Sequence, residues 1–355
     1  MVRHSLRSSD RDALRADVVQ RLRSGQLVVL PTETVYGLAV LPGHADALGR
    51  ARALLQRTAD EPATLHLHSR ADLRPLVAQV PPPLARLIDR FWPGPLTLVL
   101  PGRSGTDIGL RLPAHEFTRS VIGAIGEPLV LARVHTKNTP PLADPDAIAA
   151  HFGHALDLLV DDGRSPLGMP STVVHWQNGR LQVPRDGILT ADEVLHAAAD
   201  LVLFVCTGNT CRSPLAEALA RHHTAAALGI APADLLAHGL AFASAGTSTV
   251  DGDPASDGSV AAAAELQLDL GGHRSTALTP ELVRRASRIY CLAQSHRRNT
   301  LAEMPTAGEK VTLLRPDQLD IADPFGGDLR AYRRARDEIR AAVTARLADW
   351  LPKRG

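Results

Sequence analysis

The sequence predicts an α/β protein of two domains, residues 1–199 and 200–355. Three observations predict it. Through the first half, short apolar runs recur with helical stretches between them, the pattern of a mixed, twisted sheet covered by helices. A self-contained strand, loop and helix start follows at Leu201, directly after the capping signal Thr190-Ala-Asp-Glu193, so one unit ends where another begins. At 355 residues the chain is long enough to bury two cores.

Residues 10–24 place Leu14, Val18, Val19 and Leu22 at helical spacing among alternating charges, which predicts an amphipathic helix ending near Gly25. Leu27–Leu30 is then a strand, and Pro31-Thr32-Glu33-Thr34-Val35-Tyr36-Gly37-Leu38 a tight polar turn whose hydroxyls and carboxylate can line a pocket. Phe91-Trp92-Pro93-Gly94-Pro95 makes a rigid turn into a buried strand over Leu96–Leu100. Gly109–Pro113 is a strand carrying Arg111 near its end. Further strands follow at Pro128–Leu131, Leu156–Val160 and Ser171–Val174, with Arg185-Asp186-Gly187 closing the domain. Polar residues recur at the strand ends, which predicts one shared groove. Thr190 and Glu193 then cap a short helix ending near Ala199.

The second half opens on its chemistry. Leu201–Val205 is an apolar strand, Cys206-Thr207-Gly208-Asn209-Thr210-Cys211 a loop, and Arg212-Ser213-Pro214-Leu215 a helix start with Pro214 in the first turn. A loop at a helix N-terminus gathers unpaired N–H groups and the positive end of the dipole, which makes it a site for an anion such as phosphate. Gly208 is the residue expected to let the backbone close around a tetrahedral group. Cys206 opens the loop inside that positive field, the setting in which a thiol acts as a nucleophile. Arg212 closes it and can grip two phosphate oxygens at once, and Ser213 can hydrogen-bond the sulfur. In so arginine-rich a chain the cysteine–arginine spacing alone is weak; the strand before it and the helix after it give it meaning.

Phosphoryl transfer to a cysteine also needs an acid for the leaving group. Asp320-Ile-Ala-Asp323-Pro324-Phe325-Gly326-Gly327-Asp328 reads as an exposed loop, and Asp323 is the candidate acid, then base for the water that frees the phosphocysteine. Strands are expected over Phe242–Thr247, Ile289–Leu292 and Val311–Leu314, and helices over 217–228, 257–268 and 329–351. Strand C-terminal ends share a rim in a parallel sheet, so Cys206 and Asp323 belong on the same side. Cys291, inside a strand, is expected to be a core residue.

Charge and cysteine usage exclude other classes. Residues 1–199 hold 21 Lys and Arg against 20 Asp and Glu, and residues 200–355 hold 18 of each, so neither half is a polycation built for nonspecific nucleic-acid binding. Three cysteines, all in the second half and without metal-ligand spacing, make neither a disulfide framework nor a metal site. Cys206 and Cys211, adjacent across one loop, suggest a reversible bridge that would protect the nucleophile. No apolar run of membrane-spanning length and no signal-like start is present, so no membrane partner and a cytoplasmic location are expected.

Taken in order, Cys206-Thr-Gly-Asn-Thr-Cys-Arg-Ser-Pro214, Ser244-Ala-Gly-Thr247 and Asp323-Pro324 resemble the low-molecular-weight protein tyrosine phosphatase family, over about residues 200–351. The resemblance implies a four-stranded parallel sheet flanked by helices. It also implies Cys206 as nucleophile, Arg212 as phosphate clamp, Asp323 as general acid, and Asn209 and Ser213 as supports of loop and thiolate. Thr207, Gly208, Thr210 and Cys211 complete the phosphate loop, with no cofactor and no metal. Within the family, Thr210 and Asp323-Pro-Phe-Gly-Gly327 are similar to bacterial protein arginine phosphatases. Tyrosine-specific members more often carry an aliphatic residue at the position of Thr210 and more aromatics behind the Asp-Pro; here only Phe325 lies close, with Tyr332 next. The implied partners are phosphorylated proteins, at arginine or tyrosine.

The first half, over about residues 10–190, resembles the YrdC-like threonylcarbamoyl-AMP synthase family, with Thr32, Tyr36, Arg57, Arg111, Ser171 and Arg185 matching its pocket. That resemblance implies ATP, with Mg2+, as a candidate cofactor, and threonine and bicarbonate as co-substrates in tRNA modification. The alternative it leaves is a retained module that binds double-stranded RNA or a nucleotide, with tRNA-modification proteins as candidate partners. The sequence departs from the family at several positions. Leu55-Gln56-Arg57 and Glu61-Pro62 stand where Lys-x-Arg and Lys-Pro are usual, and Arg133-Val134-His135 with Lys137-Asn138 where Ser-Ala-Asn and Ser-Gly are usual. Each charge-assisted contact contributes about 1.5–3 kcal/mol, so these departures predict weakened triphosphate binding or a changed ligand.

Overall fold

The computed structural model describes residues 1–58, 63–136 and 140–351. Contacts divide the chain into two units, Met1–Ala198 and Ala199–Gly355.

In the first unit the described strands form one mixed sheet of ten. Across it run Val2–Ser5, Leu158–Asp161, Val28–Leu30, Gly37–Val40, Leu129–Arg133, Thr64–His66, Asp107–Arg111, Leu96–Pro101, Thr172–Gln177 and Arg180–Arg185. Val28–Leu30 shows why its strands are so apolar. It pairs antiparallel with Gly37–Val40 on one edge and parallel with Leu158–Asp161 on the other, and all three of its residues are buried. Val28 and Leu30 pack against Leu14, Val18 and Leu22 of the helix Arg11–Arg23, while Val29 turns to Tyr36, Leu55 and Phe152. Each such side chain contributes about 1.5–3 kcal/mol on burial. The helix starts where Asp10 accepts the N–H groups of Asp12 and Ala13. A further cluster of Leu84, Leu87, Trp92, Leu98 and Leu110 fills the other end of the sheet.

Four strands escape the sequence reading: Val2–Ser5, Gly37–Val40, Thr64–His66 and Arg180–Arg185. Gly37–Val40 is buried and apolar and lies where the turn is expected to run on through Leu38; the other three are short and carry charged or polar residues, and the last holds Pro184 at an irregularity in register between Gln182 and Arg185. Pairing with a neighbour, not apolar period, makes those three into strands.

The second unit is a sheet of four parallel strands, ordered Leu240–Gly246, Asp200–Cys206, Arg288–Cys291 and Val311–Leu313. The strand Asp200–Cys206 alternates between two cores. Val202, Phe204 and Cys206 face the helices Arg212–Leu228 and Leu329–Trp350, around a cluster of Phe204, Tyr290 and Trp350. Leu201, Leu203 and Val205 face Val283, Ala286 and Ala307 on the opposite side. The expected helix over 257–268 spans Asp257–Ala264. Register pairs Cys206 with Gly246, Val205 with Cys291 and Cys291 with Leu313, so the strand ends form one rim and the loops leaving them converge.

Candidate functional site

In the second unit the loop leaves Asp200–Cys206 and enters the helix Arg212–Leu228. Cys206 is buried, with its sulfur 2.9 Å from the Ser213 hydroxyl and accepting the Asn209 N–H at 3.3 Å. Asn209 carries the bend. It adopts a left-handed φ of 52° and is held on three sides: Nδ2 donates to Ser213 Oγ at 2.9 Å, Oδ1 accepts the Thr276 N–H at 2.7 Å, and its carbonyl accepts His273 Nε2–H at 2.7 Å. These bonds over-determine a conformation that disfavours most residues. Gly208 beside it has no left-handed φ, and a Cβ there would meet Thr210 Oγ1 at 3.6 Å. The glycine that geometry requires is Gly246, where a Cβ would lie 2.6 Å from the Thr207 carbonyl oxygen.

Arg212 is buried, with Nη1 donating to the Ile321 carbonyl at 3.0 Å and Nη2 to Asp323 Oδ2 at 2.5 Å. The Asp323 side chain is 48% exposed, and its other oxygen accepts the Phe325 N–H at 3.2 Å. A carboxylate from the far end of the chain therefore stands on the guanidinium that closes the loop. Thr207 Oγ1 lies 2.9 Å from His296 Nε2; burial, then the nearby Arg212 charge, holds this imidazole down at about 4, so it is neutral at neutral pH. Ser244 donates to Glu217 Oε2 at 2.8 Å, and burial pushes that carboxyl up. Cys211 Sγ is 3.2 Å from Ser256 Oγ and 4.0 Å from the Tyr332 hydroxyl. All three cysteines are free, and burial pushes the core thiol of Cys291 up to about 12. Sequence reasoning missed His296, His273 and Glu217. Glu217 is one more glutamate on a helix, and the histidines are single residues in unremarkable contexts.

In the first unit Thr32, Tyr36, Arg57, Arg111, Ser171 and Arg185 line one cavity of about 280 Å³. Two of them are committed to the fold. Thr32 Oγ1 donates to the Val35 carbonyl at 2.6 Å and folds the turn, and the Tyr36 hydroxyl donates to the Gly163 carbonyl at 2.7 Å while accepting the Asp162 N–H at 3.1 Å. The cations are placed differently. Arg111 Nη2 reaches Glu33 Oε1 at 2.6 Å and Thr34 Oγ1 at 2.8 Å, and Glu33 Oε2 accepts the Ala114 N–H at 3.0 Å. Arg185 Nη2 donates to the Ser171 carbonyl at 2.8 Å, and the Ser171 hydroxyl lies 2.9 Å from Thr97 Oγ1. Burial, then the charges of Arg111 and Arg57, disfavours the protonated form of Arg185. Arg57 Nη2 is 3.1 Å from His135 Nε2. His66 in the same wall is pushed down to about 3 by burial and Arg111. Leu55, where the family usually has a cation, is a buried part of the wall. Glu61, Pro62, Lys137 and Asn138 lie outside the described residues.

Among the described residues no cluster of His, Cys, Asp and Glu could hold a metal ion, and no helix is long and apolar enough to cross a membrane. The second unit is thus a parallel α/β domain organised around a loop that brings Cys206, Arg212 and Asp323 together, and the first a mixed-sheet domain with an arginine-lined pocket. Residues 20–187 match the family model described as telomere recombination, covering Sua5, YciO and YrdC, and residues 201–353 the one described as low molecular weight phosphotyrosine protein phosphatase. A threonylcarbamoyl-AMP synthase of Chromohalobacter salexigens is 32% identical over 173 residues, 46% of this chain and 93% of that protein. A protein-arginine-phosphatase of Geobacillus stearothermophilus is 34% identical over 154 residues, 42% of this chain and 95% of that protein. The solved structure of a double variant of Pyrococcus abyssi Sua5 superimposes with a TM-score of 0.52 at 25% identity, covering 62% of this chain and 75% of that one. The chain belongs to both families, joining a Sua5 and YrdC domain to a low molecular weight phosphatase domain. It spans 54% and 57% of the threonylcarbamoyl-AMP synthases of Pyrococcus abyssi and Bacillus subtilis.

Proposed function

We propose that the protein is a phosphatase of phosphorylated proteins, acting through a phosphocysteine and fused to a nucleotide-binding domain. The observation that carries this reading is the convergence on one loop of the Cys206 sulfur, the Arg212 guanidinium and the Asp323 carboxylate. Cys206 Sγ attacks phosphorus and the bond to the leaving oxygen or nitrogen breaks, with Asp323 giving its proton to the departing atom. Asp323 then takes a proton from water, which attacks the phosphocysteine and restores the thiolate as phosphate leaves. Arg212 and the loop N–H groups stabilise the charge spread over the phosphoryl oxygens. Substrate phosphate competes with Asp323 for Arg212, so binding frees the carboxylate for its acid role.

Thr210, a polar residue on the loop, favours phosphoarginine over phosphotyrosine. The test is turnover of both phosphopeptides with a chelator present. Parent protein is expected to be active and Cys206→Ser inactive, with Thr210→Ile shifting preference toward phosphotyrosine; turnover unchanged in Cys206→Ser would sink the reading. Three cysteines without the pattern of a disulfide framework support a cytoplasmic location.

A second activity has its own support in the arginine-lined cavity. Arg57 and Arg185, with Arg111 behind them, suit a polyanion, because a bound anion relieves the mutual repulsion that disfavours protonated Arg185. ATP would be held there by these guanidinium groups and the Ser171 hydroxyl, and would supply the adenylyl group for threonylcarbamoyl-AMP formation; Mg2+ would accompany it. Threonine-dependent pyrophosphate release, lost in Arg57→Ala, tests this reading, and a mobility shift with double-stranded RNA without such release would favour a binding module instead.

A further inference from the structure

His296 is a buried side chain in the second unit that the phosphoryl-transfer scheme leaves unused. It stands in the first turn of the helix Gln294–Glu303, is 2% exposed, and its Nδ1 meets no hydrogen-bond partner among the described residues. Its other nitrogen lies 2.9 Å from the hydroxyl of Thr207, the exposed residue directly after the nucleophile. Where the ring carries its proton follows from its surroundings. Burial disfavours a charged ring, and Arg212, the strongest charge acting on it, repels a proton as well, while Asp323 and Asp320 attract one. The ring is therefore neutral, with two tautomers open to it. One leaves a buried N–H without an acceptor; the other leaves a bare lone pair in the field of a guanidinium. Orphaned buried N–H groups are rarer and costlier than unpaired acceptors, so the proton belongs on Nε2.

We propose that His296 is a positioning residue of the phosphate loop. Its Nε2–H occupies a lone pair of the Thr207 hydroxyl and turns that hydroxyl's own proton to the open face, making Thr207 a hydrogen-bond donor to the bound phosphoryl group. A valine or any residue without a hydroxyl at 207 removes the donor; loss of the imidazole leaves the donor unoriented. This inference rests on the phosphatase reading of the loop, and its test is separable from that reading.

The first measurement is nitrogen NMR of the histidine-labelled full-length protein at neutral pH. His296 is expected as the Nε2–H tautomer, with a slowly exchanging ring proton that becomes labile in Thr207→Val; an Nδ1–H tautomer overturns the inference. The second is calorimetric binding of inorganic phosphate, which needs no turnover, so a failed phosphatase assay and a failed donor are told apart. Thr207→Val and His296→Asn are each expected to weaken phosphate about tenfold, as for a lost hydrogen bond to a charged group, with the double variant no worse than either single and Thr207→Ser restoring parent affinity. Thr207→Val leaves the buried ring in place, so unchanged phosphate affinity in a folded Thr207→Val protein overturns the inference as well, as do fully multiplicative losses in the double variant.

Discussion

The two halves contain the same physical device set to opposite purposes. In each, a buried arginine meets a carboxylate from a loop, with a neutral histidine beside it: Arg111 with Glu33 and His66, and Arg212 with Asp323 and His296. Glu33 is only 13% exposed, and its two oxygens are tied separately, one to the guanidinium and one to the Ala114 N–H. Asp323 is half exposed, and its second oxygen meets only the Phe325 N–H within its own loop. The first pair is a fixed wall of a pocket; the second is the contact that, in the proposed mechanism, an incoming phosphate would replace. On the proposed mechanism, how a carboxylate is anchored, not its identity, separates a structural ion pair from a catalytic one.

Substitutions that leave shape and remove charge should split the pairs cleanly. Asp323→Asn is expected to lower phosphatase kcat/KM about a hundred- to ten-thousandfold, as for loss of a general acid, most severely for poor leaving groups, which steady-state rates on nitrophenyl phosphate against phosphopeptides will show. The same variant should cost less stability than loss of the Glu33 carboxylate, because Asp323 is half exposed and water can take its place on Arg212. Glu33→Gln reverses that outcome: breaking a buried pair costs about 3–5 kcal/mol, read as a lowered urea midpoint of the first unit with phosphatase activity intact. Equal stability losses in both variants would dissolve the distinction.

Acidification sharpens the comparison further. Both histidines are held below the ordinary imidazole value of 6.5, His296 at about 4 and His66 at about 3, so the unfolded chain binds more protons than the folded one as pH falls between those limits. Stability is therefore full above pH 6.5 and declines as pH drops through that window, by roughly 3 kcal/mol for the second unit if His296 acts alone. His296→Gln and His66→Gln should each flatten the slope of its own unit in pH-dependent urea unfolding. A slope unchanged by both would mean that neither ring is held neutral.

The Cys206 loop was legible because its parts are contiguous or bracketed by strong signals. Strand, Cys206, Arg212 and Pro214 lie within a few residues of one another, and Asp323 sits in a Pro and Gly loop after the last strand. The pocket of the first unit was legible only as six scattered positions; that Arg111 is neutralised by Glu33 depends on Gly94, Thr34 and Ala114 arriving from other elements. Glycine is the usual answer to a left-handed turn, yet in this loop Asn209, locked by Ser213, Thr276 and His273, takes that conformation, and those three partners arrive from positions that only the fold brings together. His296 carried no signal at all: its contact with Thr207 spans 89 residues and is created by parallel pairing of Asp200–Cys206 with Arg288–Cys291. Short strands such as Thr64–His66 were invisible for the same reason, being defined by partners and not by their own period.

Mass spectrometry of acid-quenched protein during turnover of a phosphorylated substrate tests the phosphocysteine most directly. A phosphate adduct is expected on the peptide containing Cys206, absent in Cys206→Ser and accumulating when Asp323→Asn slows attack by water. Turnover with no adduct on that peptide in either the parent or the Asp323 variant, or with the phosphate carried by another residue, would contradict the account.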